Sequence, residues 1–319
     1  MRFLIAVIFL VLSSSCSFQP AKNKNILRLG YMPNVTHATA LVGIEKNIFK
    51  EALGSDVNFK PMHFVVGNNI IDAFITNQID IAYVGPGPFI NAVYRKIPIK
   101  LLSNAANGGS LIVGAIHELP LHKLPLHELS LPNGARIAVP QYGNTQDLIL
   151  RAYLEKNNLD KKFNIIALPP QDTGTAFFTM SIDAACLPEP WGTILIQQGS
   201  CKLLVDEKEI LNNGDYPVTV LVVSKKYAEN NKDIIQKLLV AHRRINSFIR
   251  ENPDEAVNIV QKAISNISKK QIDRMVIAES FKRCSFKDEL NLKILTEIAR
   301  AGIKARYYNK GFTDEISFN

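Results

Sequence analysis

The chain has 319 residues, 47% of them hydrophobic, and carries 37 Lys+Arg against 29 Asp+Glu for a formal net charge of +8. That length exceeds what a single core usually serves, so two lobes are expected. The basic residues are scattered as KNK, KK and RR with few aromatics between them, which argues against nucleic acid and leaves a solubilising surface with some long-range pull on anions.

The chain opens MRFLIAVIFLVLSSSCS, one Arg followed by an apolar run from Phe3 to Leu12 and then small residues, the layout of an export signal. The run falls well short of the roughly 20 residues needed to span a bilayer. Ser13-Ser14-Ser15-Cys16 resembles a bacterial lipobox, although Leu12 stands four places before the cysteine rather than three. Residues 1–15 are read as a signal peptide and Cys16 as the lipidated residue that ties the chain to the membrane. A plainly cleaved signal or an uncleaved anchor are the alternatives. Residues 16–25 are polar and pattern-free, a linker.

From there strand and helix patterns alternate. Strands are predicted at Ile26–Tyr31, Val57–Val66, Ile79–Val84, Ile99–Asn104 and Leu111–Ile116. Helices are predicted between them at Thr36–Leu53, Asn69–Asn77 and Pro88–Lys96. A second set follows, with strands at Arg136–Pro140, Phe163–Leu168, Ile182–Leu187 and Lys202–Asp206. Its helices are Thr145–Asn157, Thr173–Met180 and Pro190–Gly199. Thr219–Ser224 is strand-like, and from Asp233 onward the chain reads as helices broken near Asn252-Pro253, Asn266 and Ser285. Such alternation indicates parallel α/β sheets covered on both faces. Between the halves, LPLHK at 119–123 and LPLHE at 124–128 form a tandem repeat that spaces His117, His122 and His127 five apart. That spacing fits neither a helix face nor a strand face. A short duplication in an exposed loop accounts for it, and no metal site is expected.

Four cysteines less Cys16 leave Cys186, Cys201 and Cys284, an odd set without a disulfide framework. Cys186 reads as a small core residue, and a Cys186–Cys201 bridge is possible across adjacent strands. No phosphate loop, GxGxxG, GxSxG, HExxH or CxxC motif occurs, so no nucleotide, cofactor or catalytic constellation is expected.

The strand-to-helix junctions carry the functional signal. Tyr31 is followed by MPNVTHA, Val84 by GPGP, Pro140 by QYGNTQD and Leu187 by PEPWG. In an α/β sheet these lie at the carboxyl edge where ligands bind, and helix starts there offer unpaired N–H groups and the positive dipole end. Gly85 and Gly87 would let the backbone approach a ligand, Pro88 surrenders an amide that is unpaired anyway, and Asn144, Thr145 and Thr36 are candidate caps. Each feature alone also suits an ordinary turn or cap. His37 could serve as a base, but no partner group can be assigned, so a cleft-lining or capping role is expected.

The blocks GYMPNVTHATALVGIEKNIFKEALG, IDIAYVGPGPFINAV, NGGSLIV, ARIAVPQYGNTQDLILRAYL and IDAACLPEPWG resemble those of ABC-transporter substrate-binding proteins of the nitrate/sulfonate/taurine type, in order over about residues 26–250. The resemblance implies a type II periplasmic-binding fold, two doubly wound α/β lobes joined by two crossovers near 113–118 and 216–220. Lobe 1 would hold 26–115 plus 219–319 and lobe 2 would hold 116–218. It implies cleft positions at Asn34, Thr36, His37, Gly85, Pro86, Gly87, Gly109, Ser110, Asn144, Thr145, Gln146, Glu189, Trp191 and Thr219. Cys186 stands where many relatives have Trp or Tyr. A small anionic solute, a permease and an ATPase are the implied partners, with the chain itself a monomer and not an enzyme. Glu189 would either meet an ammonium on the solute, favouring a taurine-like anion, or sit at its own helix start. Trp191 would either cover the solute or belong to the lobe core. Synthase-like enzymes concerned with thiamine precursors and a surface sensor are the alternatives.

Overall fold

The computed structural model describes residues 25–115 and 131–312. The signal peptide, Cys16, almost all of the linker and the duplicated LPLH segment lie outside them. In the first half, β1 (Asn25–Tyr31) leads through a 3-10 turn at 35–37 into α1 (Ala38–Glu45), α2 (Ile48–Leu53), β2 (Val57–His63), α3 (Gly67–Ile75), β3 (Ile81–Val84), α4 (Pro86–Tyr94) and β4 (Ile99–Gly108). The single helix predicted over 36–53 is broken because Asn47 takes a left-handed φ of 56°, a conformation Asn tolerates better than most residues.

The second half runs β5 (Ser110–Ala115), β6 (Arg136–Val139), α5 (Thr145–Lys156), β7 (Asn164–Ala167), α6 (Thr173–Phe178), β8 (Ala184–Pro188), α7 (Trp191–Gln197), β9 (Cys201–Val205) and α8 (Glu207–Ile210). The chain then returns through β10 (Pro217–Ser224) and α9 (Lys225–Asn230) to α10 (Lys232–Glu251), α11 (Pro253–Ser268), α12 (Arg274–Phe281), β11 (Cys284–Ser285) and α13 (Leu292–Lys304). Among the described residues no helix is long and apolar enough to cross a membrane.

Two sheets result, ordered β11-β4-β10-β3-β1-β2 and β7-β6-β8-β5-β9. They are mixed rather than purely parallel: β10 runs antiparallel to β3 and β4, and β5 antiparallel to β8 and β9. In each sheet one strand thus reaches the sheet directly from the other half of the chain. The first crossing differs in place from the expectation at 113–118. The first sheet ends at Gly108 and the second begins at Ser110, so residues 110–115 belong to lobe 2. Gly108 and Gly109 both have positive φ, 73° and 66°, and this pair redirects the chain from one sheet to the other. The return strand begins at Pro217 and joins the first sheet.

The two lobes repeat one anchoring device. Asp80, just before β3, accepts hydrogen bonds from the Arg28 backbone amide (2.9 Å) and guanidinium (2.6 and 2.9 Å). Asp183, just before β8, does the same for Arg136, with its amide at 2.6 Å. Helices α10 and α11 cover the first sheet through Leu238, Ile245, Val257 and Val260. Helix α13 does not stay with lobe 1 as expected, because it packs against both α4 and α5. One apolar cluster accordingly runs from Ile90 through Ile298 to Leu150, across both lobes. Cys186 and Cys201 are free and cannot pair as neighbours, since β5 lies between their strands.

Replacing Asp183 with Ala removes the carboxylate to which the Arg136 amide and guanidinium donate in a half-buried place, while the guanidinium keeps its bond to the Met180 carbonyl. The expected loss is about 1–3 kcal/mol of stability, read as a lowered urea midpoint at unchanged slope.

Candidate functional site

The carboxyl ends of β1, β2, β3, β6, β7 and β8 converge on a cleft between the lobes. It is lined from lobe 1 by Met32, Asn34, Thr36, His37, Val65, Val66, Gly67, Gly85 and Pro88. Lobe 2 contributes Pro140, Gln141, Asn144, Thr145, Gln146, Pro170 and Pro188, with Val218 from the return strand. The cavity volume is about 50 Å³. One water requires roughly 10–15 Å³ on this measure, so the space suits a head group of a few heavy atoms and is too small for a nucleotide.

At the centre, two helix starts from opposite lobes meet. The Gly87 amide in the first turn of α4 donates to Thr145 Oγ1 at the first position of α5 (3.2 Å). A Cβ at Gly87 would lie 2.4 Å from the Asn144 carbonyl carbon and 2.5 Å from the Thr145 nitrogen, and one at Gly85 would lie 2.4 Å from Thr145 Oγ1. The two glycines therefore give access to the other lobe, where the sequence suggested access for a ligand. Pro86 occupies the first position of α4, with no amide to leave unpaired. On the other side Asn144 caps α5 by accepting from the Asp147 amide (2.9 Å), while Asp147 accepts from the Gly143 amide (2.7 Å). The amides of Thr145 and Gln146 have no acceptor within their helix and sit at its positive end.

The remaining donors are uncharged. His37 is 1% exposed, and burial alone pulls its imidazole down to about 3. Its Nδ1 accepts from the Met32 amide (3.3 Å). Gln146 donates to Ser110 Oγ (3.1 Å), which places Ser110 behind the wall. The Thr219 hydroxyl is fully buried without a hydrogen-bond partner among the described residues. Trp191 Nε1 donates across the lobes to Asn34 Oδ1 (3.3 Å), so it ties the rim together. Thr36 is buried inside the 3-10 turn and is not a cap, since Asn34 precedes that turn and His37 precedes α1.

Two expected positions serve elsewhere. Gly109 sits at the crossing, where a Cβ would meet Cys284 Sγ at 2.5 Å. Glu189 is fully buried and turned from the cleft. It accepts from Thr193 Oγ1 (2.8 Å) and Ser280 Oγ (3.0 Å), with Arg283 at 3.4 Å. It is not placed to meet an ammonium group. Burial pushes its carboxyl up, and Thr193, Arg283 and Ser280 draw it back. The apolar wall from Val65, Val66, Pro140 and Pro170 was missed. Val65, Val66 and Pro170 follow β2 and β7, two further junctions of the kind already singled out, so the same rule applied to every strand would have found them. Among the described residues no cluster could hold a metal ion.

A two-lobed α/β fold whose cleft is rimmed by strand-to-helix junctions is that of the periplasmic binding proteins. The chain belongs to the NMT1-like family, whose pattern matches residues 20–265. It is 25% identical over 233 residues to the taurine-binding periplasmic protein of Escherichia coli, covering 72% of this chain and 68% of that protein. In fold it is similar to the alkanesulfonate-binding protein SsuA of Xanthomonas axonopodis pv. citri, with a TM-score of 0.72, 18% identity, and 91% and 96% of the two chains covered. It is likewise similar to the nitrate-binding protein NrtA of Synechocystis PCC 6803, with a TM-score of 0.76, 15% identity, and 92% and 86% covered.

Two outcomes are expected here. Gly87→Ala forces a methyl against lobe 2 backbone that cannot yield, so the lobes close less fully, and small-angle scattering should give a larger radius of gyration at near-normal thermal stability. For His37, the unfolded imidazole binds a proton near pH 6.5 and the folded one only near 3. Stability is therefore lost as pH falls from 6.5 towards 3, by up to about 4 kcal/mol, and His37→Gln removes that part of the acid limb in a denaturant series.

Proposed function

We propose that the chain is the extracytoplasmic solute-binding component of an ABC importer. It captures a small organic anion of the sulfonate kind between its lobes and delivers it to a membrane permease, with ATP hydrolysis left to a partner ATPase. The observation that carries this reading is the meeting of α4 and α5 across the lobes, two positive helix ends facing one small cavity. Fixed amides can satisfy the oxygens of an oxyanion without a full salt bridge. The names of the relatives point the same way, since they bind taurine, alkanesulfonate and nitrate. With Glu189 engaged by Thr193, Ser280 and Arg283, an amino group on the solute has no counterion there. A plain alkanesulfonate then fits as well as taurine.

Binding draws the lobes together through contacts made only in the closed form. The Trp191–Asn34 bond joins the two lobes at the rim, and Trp191 is the sole tryptophan, so its emission would report on their approach. Titration calorimetry of the full chain with methanesulfonate, taurine and nitrate should show one solute per chain, recovered unchanged, with a matching change in tryptophan emission. Silence with all three anions, or turnover of a pyrimidine precursor, would overturn the reading.

A further inference from the structure

Given the solute-binding reading above, we infer that the cleft admits a single negative charge, and that His37 sets this limit by serving as an uncharged Nε2–H donor to the solute's head group. Three observations converge on it. None of the residues lining the cleft is Asp, Glu, Lys or Arg. Two acidic side chains that follow the lobe 2 junctions are already paired with arginines: Asp147 with Arg151 at 2.8 Å, and Glu189 with Arg283 at 3.4 Å. Among the described residues no cation lines the cleft to meet a second solute charge.

The tautomer of His37 follows from its neighbour. The Met32 amide donates to Nδ1, which must be the unprotonated nitrogen, so the ring proton lies on Nε2. Among the described residues nothing accepts from Nε2, although the side chain is 99% buried and lines the cleft. An oxyanion in the cleft supplies that acceptor. The buried Thr219 hydroxyl, which is not itself among the lining residues, is a further polar group without a partner among the described residues.

Charge number is then decided by desolvation. The cost of burying an ion grows with the square of its charge, whereas the stabilisation from fixed dipoles grows only in proportion to it. Two helix ends, each worth about half a charge, with neutral donors around them balance one charge and leave a second uncompensated. Imidazolium would alter that balance, and burial among neutral groups keeps it from forming.

The test uses pairs of probes with the same shape and different charge on the purified full chain. Methanesulfonate stays a monoanion at every working pH, while methylphosphonate, nearly isosteric, becomes a dianion above its second ionisation. Calorimetry should find methanesulfonate affinity flat from pH 6 to 9 and methylphosphonate affinity falling about tenfold per pH unit above that ionisation, with sulfate at least 100-fold weaker than methanesulfonate. Sulfate or dianionic methylphosphonate within tenfold of methanesulfonate overturns the charge limit and leaves the solute-binding reading standing. Silence with every probe overturns both. For His37, Phe at this position should weaken methanesulfonate at least tenfold, and Gln, which keeps a neutral N–H, should recover part of the loss. His37→Lys should raise sulfate relative to methanesulfonate by tenfold or more. Equal affinities in the Phe and Gln variants remove His37 from the role. Should the Lys variant fail to fold, the methylphosphonate pH series on the unsubstituted protein decides the charge limit and the Phe–Gln pair decides the donor.

Discussion

Two helices that point the same partial charge at each other set the terms for the whole molecule. Helices α4 and α5 come from different lobes, yet the first turn of one touches the first turn of the other, Gly87 to Thr145. Each start carries about half a positive charge, and bringing two together is unfavourable until something negative lies between them. The Thr145 hydroxyl meets part of this need by accepting from the Gly87 amide, and Asp147 meets part of it inside α5. A solute anion would meet the rest. Affinity for the anion and preference for the closed form are then the same interaction seen from two sides.

The surrounding chain holds the two helices at that distance. Helix α13 lies against both of them, and beyond it Tyr307 donates to Asp147 (2.8 Å) while Arg151 donates to Tyr307 (2.9 Å). Tyr94 from α4 packs with Tyr308 and Phe312 at ring separations of 5.1 Å. Around the crossing, Arg283 lies close to two buried carboxylates, Glu189 from lobe 2 and Glu207 just before the return strand. Pulling the lobes straight apart would expose the apolar cluster they share, which opposes separation in that direction.

Much of this is legible in the residues. Period-two and period-3.6 patterns located nearly every strand and helix, because in covered sheets burial and local propensity agree. The glycines of GPGP were marked for close approach to a ligand, and the three-dimensional arrangement shows Asn144 and Thr145 of the other lobe standing against them. Of the two readings of Glu189, the place at its own helix start is the one found, with the Thr193 amide donating to it at 3.3 Å; its longer-range partners were not foreseen. Its partners Ser280 and Arg283 are more than ninety residues away in sequence, and pairing at that range leaves no local trace. The crossing was placed after the strand at 111–116 rather than before it; the chain changes sheets at the left-handed Gly108–Gly109 pair. The repeated Arg–Asp anchors, Arg28–Asp80 and Arg136–Asp183, span about fifty residues each and were likewise invisible to a windowed reading.

The same physics explains how a fold can persist at 15–25% identity among proteins named for taurine, alkanesulfonate and nitrate. Backbone amides at helix starts are supplied by the fold and need no particular side chain, apart from the glycines that permit close approach. What differs from one protein to the next must then be the few side chains that shape the wall. In this chain they are the apolar Met32, Val65, Val66 and Val218, and among them one imidazole, His37, held neutral by its burial. On the solute-binding reading proposed above, substitutions in such a wall would alter which solute fits while leaving in place the helix-start amides, which belong to the backbone.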